Sequence, residues 1–130
     1  MILVDTHVVI WLALEPARIS KKARAAIEAT RRGDESLAIS DMTLLEIAMI
    51  ESKRRIKLHT SLETFLAEVE SRFVVLPMTS QICARAIGLP TEYPQDPADR
   101  IIGATALVNG LSLITADDAI RRTKVAETIW

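Results

Sequence analysis

The chain has 130 residues, which suits one domain and is too short for two of ordinary size. Hydrophobic residues make up 49% and charged residues 25% of it, a composition that excludes disorder and favours a compact fold. The formal net charge of −1 excludes a global field that would attract nucleic acid, and the aromatic content of 4% is too low for a base-stacking platform.

The first half of the chain alternates short apolar runs, typical of buried strands, with segments of helical periodicity. Pro16 stops the first helix, Ser20 is a suitable N-cap for the second, and Gly33 follows the end of the second. The third helix carries its cations in its last turn, where they complement the helix dipole. In chain order we predict a strand at 2–4, a helix from 6 to about 16, a helix at 21–32, a strand at 37–40 and a helix at 41–55.

The second half continues the alternation. Thr79 is a suitable N-cap, and Asp96-Pro97 places proline at the first position of a helix that ends at Gly110. Strands that alternate with helices predict one α/β domain with a parallel sheet covered on both faces. The predicted elements are a helix at 61–72, a strand at 73–76, helices at 80–89 and 97–109, a strand at 112–115 and a short helix at 116–122.

Five acidic residues fall near the predicted strand ends. In an open parallel sheet, ligands bind beyond the carboxyl ends of the strands. Asp5 ends the first strand and Asp117 follows the fourth. Asp96 and Asp99 open the helix that leads into the fourth strand. Glu46 lies in the helix after the second strand, on a largely apolar face.

Each acid also has a structural explanation. Asp96 and Asp99 have capping-box spacing, and Asp117 can cap the last helix. Asp5 and Glu46 are harder to explain, because strands disfavour Asp and a buried unpaired carboxylate is costly. Several carboxylates at one sheet edge repel unless a divalent cation lies among them, and oxygen ligands suit Mg²⁺ or Mn²⁺. The pattern predicts metal-dependent phosphoryl or phosphodiester chemistry.

Four segments together resemble the PIN domain, and more narrowly the VapC toxins of toxin–antitoxin pairs. They span essentially the whole chain, in the order MILVDTHVVIWLA, SDMTLLEIAMIESKRRI, DPADRIIGATAL and LITADDAI. The resemblance implies a single PIN domain over residues 1–130, with a three-layer α/β/α fold and a parallel five-stranded sheet in the order 3-2-1-4-5. It also implies a cognate antitoxin as partner and a homodimer.

The resemblance further implies Mg²⁺- or Mn²⁺-dependent endoribonuclease activity, and it assigns the site by position. The acidic quartet falls on Asp5, Glu46, Asp99 and Asp117. Asp5 and Asp99 would be the most direct metal ligands, with Glu46 and Asp117 completing the coordination directly or through water. A metal-activated water would attack the phosphodiester in line, and Glu46 or Asp117 would assist its deprotonation or placement.

Four more residues are expected beside the quartet. Thr6 has the small hydroxyl that follows the first Asp in the family, or is an ordinary helix N-cap. Asp96 caps its helix next to the site, and Thr115 holds a water or a carboxylate. Arg100 is expected to form an ion pair or, as an alternative, to bind phosphate. The four residues are Thr6, Asp96, Arg100 and Thr115.

Two other functions remain open. A phosphoryl-transfer enzyme of the haloacid dehalogenase type also has an Asp after its first strand, but it normally has a second Asp two residues later, where this chain has His7. A non-catalytic PIN-like module would bind RNA or a partner, but it has no need of four clustered carboxylates. Neither His7 nor His59 has a neighbour that would orient it as a general base.

The remaining expectations concern surface and location. The basic residues form four clusters, any of which could contact RNA, although such runs are usually solvated helix faces. Cys83 is the only cysteine and is expected to pack as a small hydrophobe. No apolar run approaches the roughly 20 residues of a membrane span, which predicts a cytoplasmic protein. The clusters are Lys21, Lys22 and Arg24; Arg31 and Arg32; Lys53, Arg54, Arg55 and Lys57; and Arg121, Arg122 and Lys124.

Overall fold

The computed structural model covers Met1 to Trp130 and contains five strands and seven α-helices. The strands are β1 (Ile2–Val4), β2 (Leu37–Ser40), β3 (Val74–Leu76), β4 (Leu113–Ile114) and β5 (Thr128–Ile129). The helices are α1 (Thr6–Leu14), α2 (Lys21–Arg32), α3 (Asp41–Ser52), α4 (Leu62–Arg72), α5 (Ser80–Ile87), α6 (Pro97–Asn109) and α7 (Asp118–Thr123). A 3₁₀ turn at Pro16–Arg18 follows α1.

All strands pair in parallel in the order β3-β2-β1-β4-β5, which confirms the predicted α/β fold and strand order. Leu3 of the central strand is in register with Ala38 on one side and with Leu113 on the other. Because every strand points the same way, the carboxyl ends of β1, β2 and β4 lie at one edge of the sheet.

Side chains of the central strands alternate between two buried clusters, one on each face of the sheet. Val4 and Ile114 join the cluster that includes residues of α1 to α4, whereas Leu3 and Leu113 join the cluster that includes residues of α6 and α7. The same period of two puts Asp5 and Thr115 on the face of α6. The two clusters give the sheet its three-layer arrangement.

The structure confirms the predicted N-caps Ser20, Thr79 and Asp96, and Gly110 ends α6 in the left-handed conformation at φ 63°. Helix α3 is shorter than predicted, because it ends at Ser52 and leaves the basic residues after it in a turn. Strand β5 was not predicted as a separate element, since its two residues are too few to show a period.

One surface expectation was wrong. Cys83 is exposed, because the buried face of α5 consists of Ile82 and Ala86, and Cys83 lies outside that i, i+4 pair. Trp11 and Trp130 pack on each other with ring centroids 5.8 Å apart and against the larger core cluster. None of the helices combines the length and apolar character that a bilayer-crossing segment needs.

Candidate active site

A groove of about 770 Å³ runs between α1 and α3, and we call it the α1–α3 groove. Each helix lines it with one stripe at the spacing i, i+3, i+4, i+7, the spacing of residues on one face of a helix. The stripe of α1 is His7, Ile10, Trp11 and Leu14, and the stripe that begins on α3 is Glu46, Met49, Ile50 and Lys53. All five candidate acids also line this groove: Asp5, Glu46, Asp96, Asp99 and Asp117.

The end of β1 and the end of β4 are joined by hydrogen bonds through Thr115. The Thr115 hydroxyl donates to Asp5 Oδ2 at 2.7 Å and accepts from the Asp117 backbone N–H at 3.1 Å. Asp5 is the N-cap of α1, since its Oδ1 accepts from the Thr6 N–H at 2.8 Å. Asp117 caps α7 through the Ile120 N–H at 3.1 Å. These bonds hold both carboxylates at the carboxyl edge of the sheet.

Three carboxylates form a tighter group. Oxygens of Glu46, Asp96 and Asp99 lie within 4.8 Å of one another, a spacing at which they could hold a metal ion. Asp96 Oδ2 also caps α6 by accepting from the Asp99 N–H at 3.3 Å. The predicted quartet is therefore not the tightest set, because this group contains Asp96 and lacks Asp5 and Asp117.

Three of the acids, Asp5, Glu46 and Asp99, have raised pKa values. Burial raises the pKa of Asp99 to about 7, and the Asp5, Asp96 and Glu46 carboxylates add to that rise. Burial also raises the pKa of Asp5, against the opposing hydrogen bond from Thr115. The pKa of Glu46 is raised mainly by burial, with the charges of Asp5 and Asp96 contributing. A cation among these groups would remove the repulsion and favour their charged forms.

For each of two neighbouring residues, one of the two expected roles is wrong. Thr6 is not the N-cap but the first residue of α1, and its hydroxyl lies 3.1 Å from that of Thr43, so it joins the starts of α1 and α3. Arg100 does not form the expected ion pair with a carboxylate. Its buried guanidinium donates to four backbone carbonyls, one in the last turn of α5 and three in the segment between α5 and α6. Those carbonyls belong to Ala86, Leu89, Pro90 and Tyr93.

Sequence reasoning missed the packing of the Tyr93 side chain against helix α6. Its side chain is buried, its hydroxyl has no hydrogen-bond partner, and its ring packs against Gly103 of α6. A Cβ at Gly103 would overlap the Tyr93 hydroxyl and lie 2.7 Å from Cζ, so only glycine fits there. A Tyr ten residues before a helical Gly is not a recognisable pattern, so no sequence signal could have identified the pair.

A PIN domain family model matches residues 2–126, and the chain belongs to the PIN domain family. It is 35% identical to ribonuclease VapC22 of Mycobacterium tuberculosis, over 99% of this chain and 98% of that protein. These matches confirm the resemblance given by the sequence motifs, and the haloacid dehalogenase alternative has no support among them.

Solved structures show the same fold. A toxin–antitoxin complex from Klebsiella pneumoniae contains a chain that is 28% identical, with a TM-score of 0.64 over 90% of this chain and 87% of that one. VapBC2 from Rickettsia felis, bound to a DNA fragment from its promoter, matches with a TM-score of 0.72 at 19% identity, over 98% and 97% of the two chains. At 19% identity the second likeness concerns the fold alone.

Proposed function

We propose that the protein is a Mg²⁺- or Mn²⁺-dependent endoribonuclease that acts as the toxin of a VapBC-type toxin–antitoxin system. The observation that carries the proposal is the convergence of five carboxylates in one groove, with raised pKa values at Asp5, Glu46 and Asp99. The 35% identity to a protein named a ribonuclease supports the same reaction.

The residues present fit a hard divalent cation. The donors are carboxylate oxygens, which Mg²⁺ and Mn²⁺ prefer. Burial of Asp5, Glu46 and Asp99 is costly without a compensating positive charge. Asp5, Glu46, Asp99 and Asp117 would hold the ion, with Asp96 close enough to join them. A bound ion of this kind lowers the pKa of a coordinated water and stabilises the charge that develops at phosphorus.

The chain's own residues would then position and deprotonate the attacking water. Glu46 is the first candidate for the general base, because its carboxylate lies in the acid group of the groove. Asp117 is the second candidate for placing the water. Thr115 fixes the orientation of Asp5, and Asp96 holds the start of α6 and thereby Asp99.

A cognate antitoxin and a second copy of the chain are the proposed protein partners. The Klebsiella relative comes from a toxin–antitoxin complex, which supports an antitoxin here. Leu45 on α3 is 55% exposed and Ile87 on α5 is 83% exposed, and such apolar surface favours a homodimer. Light scattering should give twice the mass of one chain at micromolar concentration, and a monomer would contradict the dimer.

RNA cleavage by purified protein tests the proposed activity. We expect Mg²⁺-dependent cleavage by the natural chain and a loss of about 100-fold or more in Asp5→Asn and in Asp99→Asn, because each removes a carboxylate that would hold the ion. Asp34→Asn is the matched control, since Asp34 is exposed and lies outside the groove. If the natural chain binds RNA but does not cleave it with either metal, the non-catalytic alternative replaces the nuclease.

A further inference from the structure

We propose that Lys53, Arg55 and Lys57 form a phosphate-binding subsite that holds the RNA strand alongside the acidic site. This inference rests on the proposed nuclease function. Among the four basic clusters, it assigns substrate contact to one and excludes the other three. Its test measures RNA binding without cleavage, so a negative result is distinguishable from a failure of the nuclease proposal.

The three cations lie along the same groove as the acids. Glu46 and Lys53 belong to one stripe and are separated by seven residues, about 10 Å along a helix axis. The groove therefore has an acid end, formed by Asp5, Glu46, Asp96, Asp99 and Asp117, and a basic end, formed by Lys53, Arg55 and Lys57. The basic end follows the carboxyl end of α3, where positive charge is favoured by the helix dipole.

The backbone after α3 directs these cations into the groove. Arg54 is left-handed at φ 55°, and two hydrogen bonds close the helix, from the Arg54 N–H to the Glu51 carbonyl and from the Arg55 N–H to the Ile50 carbonyl. This pair of bonds is a Schellman motif, which reverses the chain. The position usually favours glycine, so an Arg there carries backbone strain.

Beyond the turn, exposed and half-buried residues alternate. Ile56 and Leu58 are half-buried and pack against the larger core cluster. Arg55, just before Ile56, and Lys57, between the two apolar residues, are exposed. The two apolar anchors fix the segment, so the intervening cations are held at the groove. None of Lys53, Arg55 and Lys57 has a carboxylate within 4.0 Å. Their charge is available to a ligand.

Arg18 is the cation on the opposite wall, and it is already committed. Its guanidinium lies 4.1 Å from the Trp11 ring centroid and pairs with Glu15 at 3.3 Å. Arg18 therefore contributes a flat guanidinium whose charge is partly neutralised, and not a free charge. The unpaired positive charge of the groove is therefore concentrated on the wall that follows α3.

Charge complementarity favours an RNA strand as the occupant. An RNA phosphate at the acid end meets carboxylates that a cation only partly neutralises, so attraction must come from elsewhere along the strand. Phosphate contacts by Lys and Arg supply this sequence-independent attraction and position the strand. The other basic clusters cannot do so at this site, because no member of them lines the groove.

The test is RNA binding by full-length variants that all carry Asp5→Asn, so that the RNA stays intact. A fluorescein-labelled single-stranded RNA is titrated with the parent, with the triple variant Lys53→Ala/Arg55→Ala/Lys57→Ala and with a matched control at several salt concentrations. The control, Lys21→Ala/Lys22→Ala/Arg31→Ala, also removes two lysines and one arginine, all exposed on α2 and outside the groove. Equal thermal midpoints establish that the proteins compared are folded.

We expect the groove variant to bind RNA about tenfold or more weakly at low salt. The slope of log K against log salt should become less negative by about 2, as three lost phosphate contacts require. The control should match the parent. A single charge reversal, Lys57→Glu, should weaken binding in the same direction, and it tests the subsite if the triple variant does not fold. Equal affinity and equal slope in the parent and the groove variants would overturn the proposal. The basic end would then be assigned to a polypeptide partner and not to RNA.

Discussion

The two ends of the α1–α3 groove are built in different ways. The acid end comes from strand ends and helix starts that meet at the carboxyl edge of the sheet, and hydrogen bonds such as that of Thr115 to Asp5 fix its side chains. The basic end comes from a turn and an extended segment, in which the exposed side chains of Arg55 and Lys57 have no ion-pair partner.

The free-energy cost of placing these side chains also differs between the two ends. At the acid end the cost is electrostatic, since burial and mutual repulsion raise the pKa of Asp99 to about 7. At the basic end the charges are solvated and the cost lies in the backbone, at the left-handed Arg54. One groove can attract a cation at one end and an anion at the other, because its carboxylates and its basic side chains are separated along α3.

Packing beneath the acid end should give the largest effect on stability. Gly103→Ala places a Cβ against the buried Tyr93 ring, and we expect a loss of about 3 kcal/mol in the free energy of unfolding, because overpacked cores must distort. Urea denaturation measures it. Gly33→Ala is the control, since its nearest contact is 3.5 Å, and should change stability by less than about 1 kcal/mol. Equal stability of the two variants would mean that the acid end does not depend on this packing.

Because of the electrostatic cost at the acid end, we expect that removing one of its charges stabilises the fold. Asp99→Asn without divalent metal at pH 8 should raise the free energy of unfolding by about 1–3 kcal/mol, because the substitution removes a carboxylate that the fold keeps partly buried. Asp99 has a higher pKa folded than unfolded, so it favours folding less and less as the pH rises from about 4 to about 7. The variant's advantage should therefore grow over that range and stay constant above it.

Denaturation in EDTA at pH 5 and at pH 8 measures this effect, with Asp34→Asn as the control that should follow the natural chain. If Asp99→Asn is no more stable than the natural chain at pH 8, the acid end carries no electrostatic cost and the contrast between the two ends fails.

The backbone cost at the basic end should give the smallest effect. Arg54→Gly should raise the free energy of unfolding by up to about 1 kcal/mol, because glycine adopts the left-handed conformation without a Cβ penalty. Thermal unfolding should show a midpoint a few degrees higher. A lower midpoint would show that the Arg54 side chain contributes more than its backbone costs.

The acid end was largely predictable from the sequence, and the basic end was not. Asp5, Asp99 and Asp117 follow from the rule that parallel strands end at one edge, combined with helix caps that can be identified by residue type. The end of α3 was misplaced because Lys53, Arg54 and Arg55 are good helix formers, and nothing in their identity indicates a left-handed residue. The closeness of Asp96 to Glu46 and the packing of Tyr93 depend on tertiary contacts between distant segments.

Titration calorimetry with MnCl₂ tests most directly the claim that the acid end holds a divalent cation. The natural chain and Asp34→Asn should bind Mn²⁺ with the same affinity, and Asp99→Asn should bind at least about tenfold more weakly. No detectable binding to the natural chain, or equal affinity in Asp99→Asn, would contradict the account.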